Sequence, residues 1–274
     1  MIRIETEDAY ILLQHQDHAR LAGEFARLWK EGGHLTYPEP FEHVHAAVAR
    51  HDDSWVAVDH APEVTKHGQP VAFTRELVGT YDAFEEIEFE PYLKVRGEAT
   101  EQCANDDPYA AILVSMHTVN LLTEQADLST LDQREKTIHK AFIDRQRTRQ
   151  RELAESLAER GTVDPRYVRD EHLDWGFRFL QACDSLSLFV CCLYDGEGSL
   201  RHKHTDYDGN TCTIRFIPEG PQRFRLSPSP FAKGEHTFKL PCKRVSGKRF
   251  ANHEALRTAY HAAPQEHLEI VLTG

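Results

Sequence analysis

The stretch RHDDSW, residues 50–55, sets a histidine and two aspartates just ahead of a tryptophan. It closes the longer segment PFEHVHAAVARHDDSW (40–55), which reads as an amphipathic helix running to about Trp55. Pro40 suits a first helical turn, and Val44 and Val48 mark an apolar stripe that continues at helical spacing onto His51 and Asp52. An ionisable side chain on the inward side of a helix loses its hydration, so something inside the protein must satisfy it. The question is what meets His51 and Asp52 there.

Three further helical segments break their stripes in the same way. DHARLAGEFARLWKEGG has Asp17 as candidate N-cap and stops at Gly32 and Gly33; His18 stands in line with Leu21, Ala22, Phe25 and Leu28. DDPYAAILVSMHTVNLLTEQ opens on Asp107 and Pro108, an N-cap followed by a first-turn proline, and buries His117 among Leu113, Val114 and Leu121. VDPRYVRDEHLDWGFRFLQACDSLSLFVCCLYDG repeats the Asp-Pro opening at Asp164 and Pro165 and ends near Gly196; Asp184 completes the row Leu173, Phe177, Leu180. A buried carboxylate costs more than a buried neutral imidazole, so Asp184 is the most telling of these.

The rest of the chain supplies the frame. Residues 56–106, punctuated by Pro62, Gly68, Pro70, Gly79, Pro91 and Gly97, read as a long irregular insertion with one short helix near 74–86. Residues 129–160 read as a charged helix with Thr130 and Gln133 at capping-box spacing; Glu152, Glu155 and Glu159 follow its basic run, which makes it a solvated face. The first dozen residues suit a strand or hairpin, and TCTIRFIP, RFRLSP, HTFKLPCKRV and HLEIVLTG read as strands around a small helix near 253–262. The expectation is an α+β fold in a single domain, 1–274. A mainly helical bundle over 14–193 carries the site, and a β-rich C-terminal part over 194–274 pairs with the N-terminal strands.

A net charge of −12 argues against nucleic acid and anionic membranes as partners. The expected partners are a small-molecule substrate and a second copy in a homodimer. Six scattered cysteines without a CxxC pair suit neither a disulfide framework nor a zinc knuckle, and no leader-like or membrane-length apolar run occurs, so a cytoplasmic location is expected. GxSxG, GxxxxGK[ST] and GxGxxG motifs are absent. One arrangement relieves all the buried polar groups at once: His18, His51, Asp52 and Asp184 converge on a divalent metal, with His117 nearby. Such ligands suit zinc, iron or manganese, and magnesium when imidazoles are few.

A histidine on one helix, a His-Asp dyad ending the next, and a distant aspartate in CDSLSL resemble the HD superfamily of metal-dependent phosphohydrolases over roughly residues 15–193. QHQDHARLAGEFARLW, ARHDDSW, the His117 helix, LQACDSLSL and the β-rich tail are also similar to DUF3891, a bacterial family of uncharacterised proteins. The HD resemblance implies an HD-like bundle with one or two metal ions, Asp52 ligating or bridging, and His117 and His139 at positions comparable to second-metal ligands. It implies hydrolysis of a phosphate ester or small phosphorylated metabolite, with Asp53 orienting a histidine or the attacking water, or else merely ending its helix. Arg50, Arg178, Arg201 and Lys203 are the candidate phosphate partners. Two other readings stay open: a di-iron enzyme that uses oxygen, and a non-catalytic binding protein with a degenerate site.

Overall fold

The computed structural model describes residues 1–74 and 88–274. Its fold class is α+β, helices accompanied by a mixed seven-stranded sheet. The described residues fall into two compact units, one within 1–36, 55–78 and 182–274, the other within 37–54 and 79–181.

The first unit is built on the sheet. Strands β1 (Ile2–Glu5) and β2 (Ala9–Leu13) form the N-terminal hairpin; β3 (Gly198–Ser199), β6 (Arg215–Gly220), β7 (Arg223–Ser227), β8 (Glu235–Ser246) and β9 (Gln265–Thr273) complete the order β1-β2-β8-β9-β7-β6-β3. A separate hairpin joins β4 (His204–Thr205) to β5 (Thr211–Cys212). As expected, the chain's N-terminal strands pair with the C-terminal ones: β2 runs antiparallel to β8 with Tyr10 opposite Val245 and Leu12 opposite Lys243. Strand β9 alternates exposed residues with buried Leu268, Ile270 and Leu272, the period of a sheet with one dry face. A core of Tyr10, Leu12, Val245, Leu256 and Tyr260 sits under α8 (His253–Ala262).

Helix α1 (His15–Gly32) lies on this sheet, with the Phe25 ring edge-on to Phe238 of β8 at 5.0 Å. It begins two residues before the cap expected at Asp17. The N–H of His15 donates to Asp59 Oδ2 at 2.6 Å, so a carboxylate from α3 (Val56–His60) serves the helix start, and Asp17 joins the first turn. Gly33 follows the helix end in extended conformation, and only glycine fits there, since a Cβ would lie 2.1 Å from the Pro230 carbonyl oxygen.

The second unit is helical: α2 (Phe41–Arg50), α4 (Phe89–Asp106), α5 (Pro108–Asn120), α6 (Gln133–Arg160) and the first part of α7 (Asp170–Cys191), whose remaining turns belong to the first unit. Helix α2 stops at Arg50 and a 3-10 turn, Asp53–Trp55, follows it. The 56–106 stretch is not simply irregular, since it holds α3 and the eighteen-residue α4. Pro91 falls in the first turn of α4, where no N–H is required, and Gly97 lies against Phe142, which a Cβ would meet at 3.4 Å. The short helix expected near 74–86 lies, but for Thr74, outside the described residues.

Asp107 caps α5 as expected, accepting from the N–H of Ala110 at 3.0 Å. The capping box of α6 is Asp132 with Glu135, not Thr130 with Gln133; each side chain accepts the other's backbone N–H. Asp164 and Pro165 open a separate 3-10 turn, Pro165–Val168, ahead of α7. No helix among the described residues is long and apolar enough to cross a membrane.

Candidate functional site

In the first unit, sheet contacts hold α1 so that His18 is buried. Its Nδ1 lies 2.9 Å from Ser187 Oγ, and Ser187 Oγ in turn donates to the backbone carbonyl of Asp184 at 2.8 Å. That hydroxyl proton is committed, so Ser187 accepts and His18 Nδ1 carries the hydrogen. That tautomer puts the lone pair of His18 on Nε2. Asp184 is buried as well, its Oδ1 3.9 Å from His18 Nδ1.

Beside them, the His15 ring lies 4.8 Å from that of Trp55, and His15 Nδ1 is 3.0 Å from Asp59 Oδ1. Burial alone would raise the Asp59 pKa, but His15 and the Met1 amino group outweigh it and hold the carboxyl far below its ordinary range. Burial pushes the Asp17 carboxyl up, against the pull of Arg20.

In the second unit, His51 is buried at the end of α2. Its Nδ1 lies 2.8 Å from the Val48 carbonyl oxygen. A carbonyl can only accept, so Nδ1 again carries the hydrogen and Nε2 the lone pair. Asp52 Oδ2 lies 3.9 Å from His51 Nε2, while Oδ1 accepts from Arg96 Nη1 at 2.6 Å. Arg96, on α4, also donates from Nε to the Tyr92 hydroxyl at 3.1 Å, and both it and Asp52 are buried. His117, buried in α5, presents its ring edge-on to His51 with centroids 5.3 Å apart.

The remaining sequence candidates stand elsewhere. Arg50 donates to Asp53 Oδ2 at 3.1 Å and to Asp106 Oδ2 at 2.9 Å, so Asp53 is paired across the end of α2. His139 Nε2 lies 3.0 Å from the Leu122 carbonyl, inside the π-helical turn Leu121–Gln125, and its ring stacks on Phe89. Arg178 is exposed and pairs with Asp174 at 2.8 Å; Arg201 and Lys203 are exposed. Burial pushes the Cys103 thiol up to about 12 and raises Cys183 and Cys191, which disfavours the thiolate form of all three.

Four contributors were not singled out from the sequence: Ser187, the Val48 carbonyl, Arg96 and the His15–Asp59 pair. Ser187 lies three residues beyond Asp184 and Val48 three before His51, spacings that put each on its partner's helical face. Arg96 offered no such signal.

A family described as "Protein of unknown function (DUF3891)" matches residues 1–247. The chain belongs to DUF3891. The DUF3891 match runs from β1 through the end of β8 and takes in His18, His51, Asp52, Arg96, His117 and Asp184. No curated protein and no solved structure matches the chain.

Proposed function

We propose that this DUF3891 chain is a metal-dependent hydrolase that acts on a phosphate ester or a small phosphorylated metabolite, with His18, His51 and Asp184 as metal ligands. What carries the reading lies within each unit: buried His18 stands beside buried Asp184 in the first, its Nδ1 3.9 Å from Asp184 Oδ1, and His51 is buried at the end of α2 in the second. Two imidazoles and a carboxylate suit zinc, iron or manganese, and three protein ligands leave positions for water and substrate. Both imidazoles are tautomerically prepared, because their Nδ1 hydrogens are held by Ser187 and by the Val48 carbonyl. The order of these residues along the chain resembles that of the HD phosphohydrolases, and phosphate-ester hydrolysis is proposed from that resemblance.

A bound divalent cation would lower the pKa of a coordinated water and polarise a phosphoryl oxygen. The chain's own part is to hold the three ligands, to keep each histidine in one tautomer, and to meet the substrate's charge. Arg50 and Arg178 can do the last only by exchanging their present carboxylates for phosphate.

The test is metal content together with hydrolysis of p-nitrophenyl phosphate and a panel of nucleoside monophosphates, after loading with Mn(II), Zn(II) or anaerobic Fe(II). Wild type should retain about one equivalent, and His18→Ala and Asp184→Asn should lose both metal and turnover about a hundredfold. A wild type that takes up no metal, or an Asp184→Asn protein that binds it equally well, would sink the proposal.

A further inference from the structure

Whether one metal ion or two would sit at this centre turns on the surroundings of Asp52. A carboxylate that bridges two metals gives one oxygen to each. In Asp52, Oδ1 is already taken by the Arg96 guanidinium at 2.6 Å, in a pair whose side chains are only 5% and 7% exposed. Arg96 is itself fixed within α4: its Nε donates to the Tyr92 hydroxyl one turn away, and its guanidinium carbon lies 5.3 Å from the centre of the Tyr92 ring. To bridge, Asp52 would have to release a buried guanidinium from a 2.6 Å ion pair, and breaking a buried ion pair is costly.

The two histidines available to a second metal point the same way. His117 is packed edge-on against the His51 ring, and the Nε2 of His139 is bonded to the Leu122 carbonyl.

We infer that the centre holds a single metal ion and that Asp52 is a positioning residue rather than a bridge between two metals. The Arg96–Asp52 pair ties the turn after α2 to α4, and that turn carries His51. The pair therefore sets where His51 Nε2 stands. This rests on the metal reading above, and it assigns the dyad aspartate a different task from the one the HD resemblance implies.

The experiment counts metal and reads its ligand field. Metal-free full-length protein is titrated with Mn(II) for stoichiometry and EPR, and with Co(II) for absorption, using wild type, Asp52→Asn, Arg96→Met, Arg96→Lys and Asp184→Asn. The expected result is one Mn(II) per chain with an uncoupled six-line spectrum. Asp52→Asn keeps an oxygen to accept from Arg96 Nη1 and so to hold the turn, and it should bind within tenfold of wild type with the Co(II) bands at unchanged energies. Arg96→Met should weaken binding and shift the bands, Arg96→Lys should restore them, and Asp184→Asn should bind more than a hundredfold more weakly. Two exchange-coupled Mn(II) ions per chain, or an Asp52→Asn loss as large as that of Asp184→Asn, overturns this assignment and leaves the metal reading standing. A wild type that takes up neither metal overturns both. The wild-type count and spectrum decide nuclearity even if a variant does not fold.

Discussion

Single residues carry the polar interior of this protein, and removing one partner at a time shows what each supports. Arg96→Met leaves Asp52 buried without its guanidinium and should cost about 3 kcal/mol or more in urea unfolding; adding Asp52→Asn should recover part of that loss. His204 offers a pH probe. It is packed edge-on to Trp29 at 4.9 Å, and burial, with a smaller contribution from His202, pushes its pKa down to about 4. The unfolded chain binds this proton below about pH 6.5, whereas the folded one resists it until about pH 4. The unfolded state therefore holds more protons in that window, and stability rises with pH across it. The contribution should be full above about pH 6.5 and lost on acidification to about pH 4, a change of about 3 kcal/mol that His204→Phe should flatten in thermal melts at stepped pH.

The helices show how local rules and tertiary context divide the work. The Asp132–Glu135 box satisfies two backbone donors at the start of α6, so Asp132→Ala should lower stability by about 1 kcal/mol in chemical unfolding. Helix α1 has no such local device, since its first donor goes to Asp59 of α3. That cap joins residues far apart in the chain, and sequence reading placed it at Asp17 because only local partners are visible there. Helix α4 was passed over for a related reason. Pro91 and Gly97 read as breakers until one knows that the first sits in the first turn and the second gives Phe142 its room.

At the scale of the whole molecule, ligand and sheet each make a prediction. A metal that binds only the folded state stabilises it by mass action, about 2.7 kcal/mol at a hundred times Kd. Mn(II) should therefore raise the melting temperature of wild type and leave that of Asp184→Asn unchanged, with EDTA reversing the rise. Strand β9 lies between β8 and β7 and joins the N-terminal hairpin side of the sheet to β6 and β3. A chain ending before Gln265 should lose its cooperative unfolding transition, as read by circular dichroism, because Leu268, Ile270 and Leu272 would leave the core. An unchanged melt for that truncation would refute the role given to β9.

Read alone, the chain revealed what depends on local periodicity. The α+β class, the joining of the first and last strands, and the inward faces of His18, His51, His117 and Asp184 all follow from apolar spacing, which a helix or strand turns directly into burial. The tertiary structure alone decided the partners. Arg96 on Asp52, Asp59 on the start of α1 and the Leu122 carbonyl on His139 join positions 44, 44 and 17 residues apart. Hydrogen bonds and ion pairs act through space over about 3 Å, and sequence spacing encodes such distances only within a turn or two of one helix.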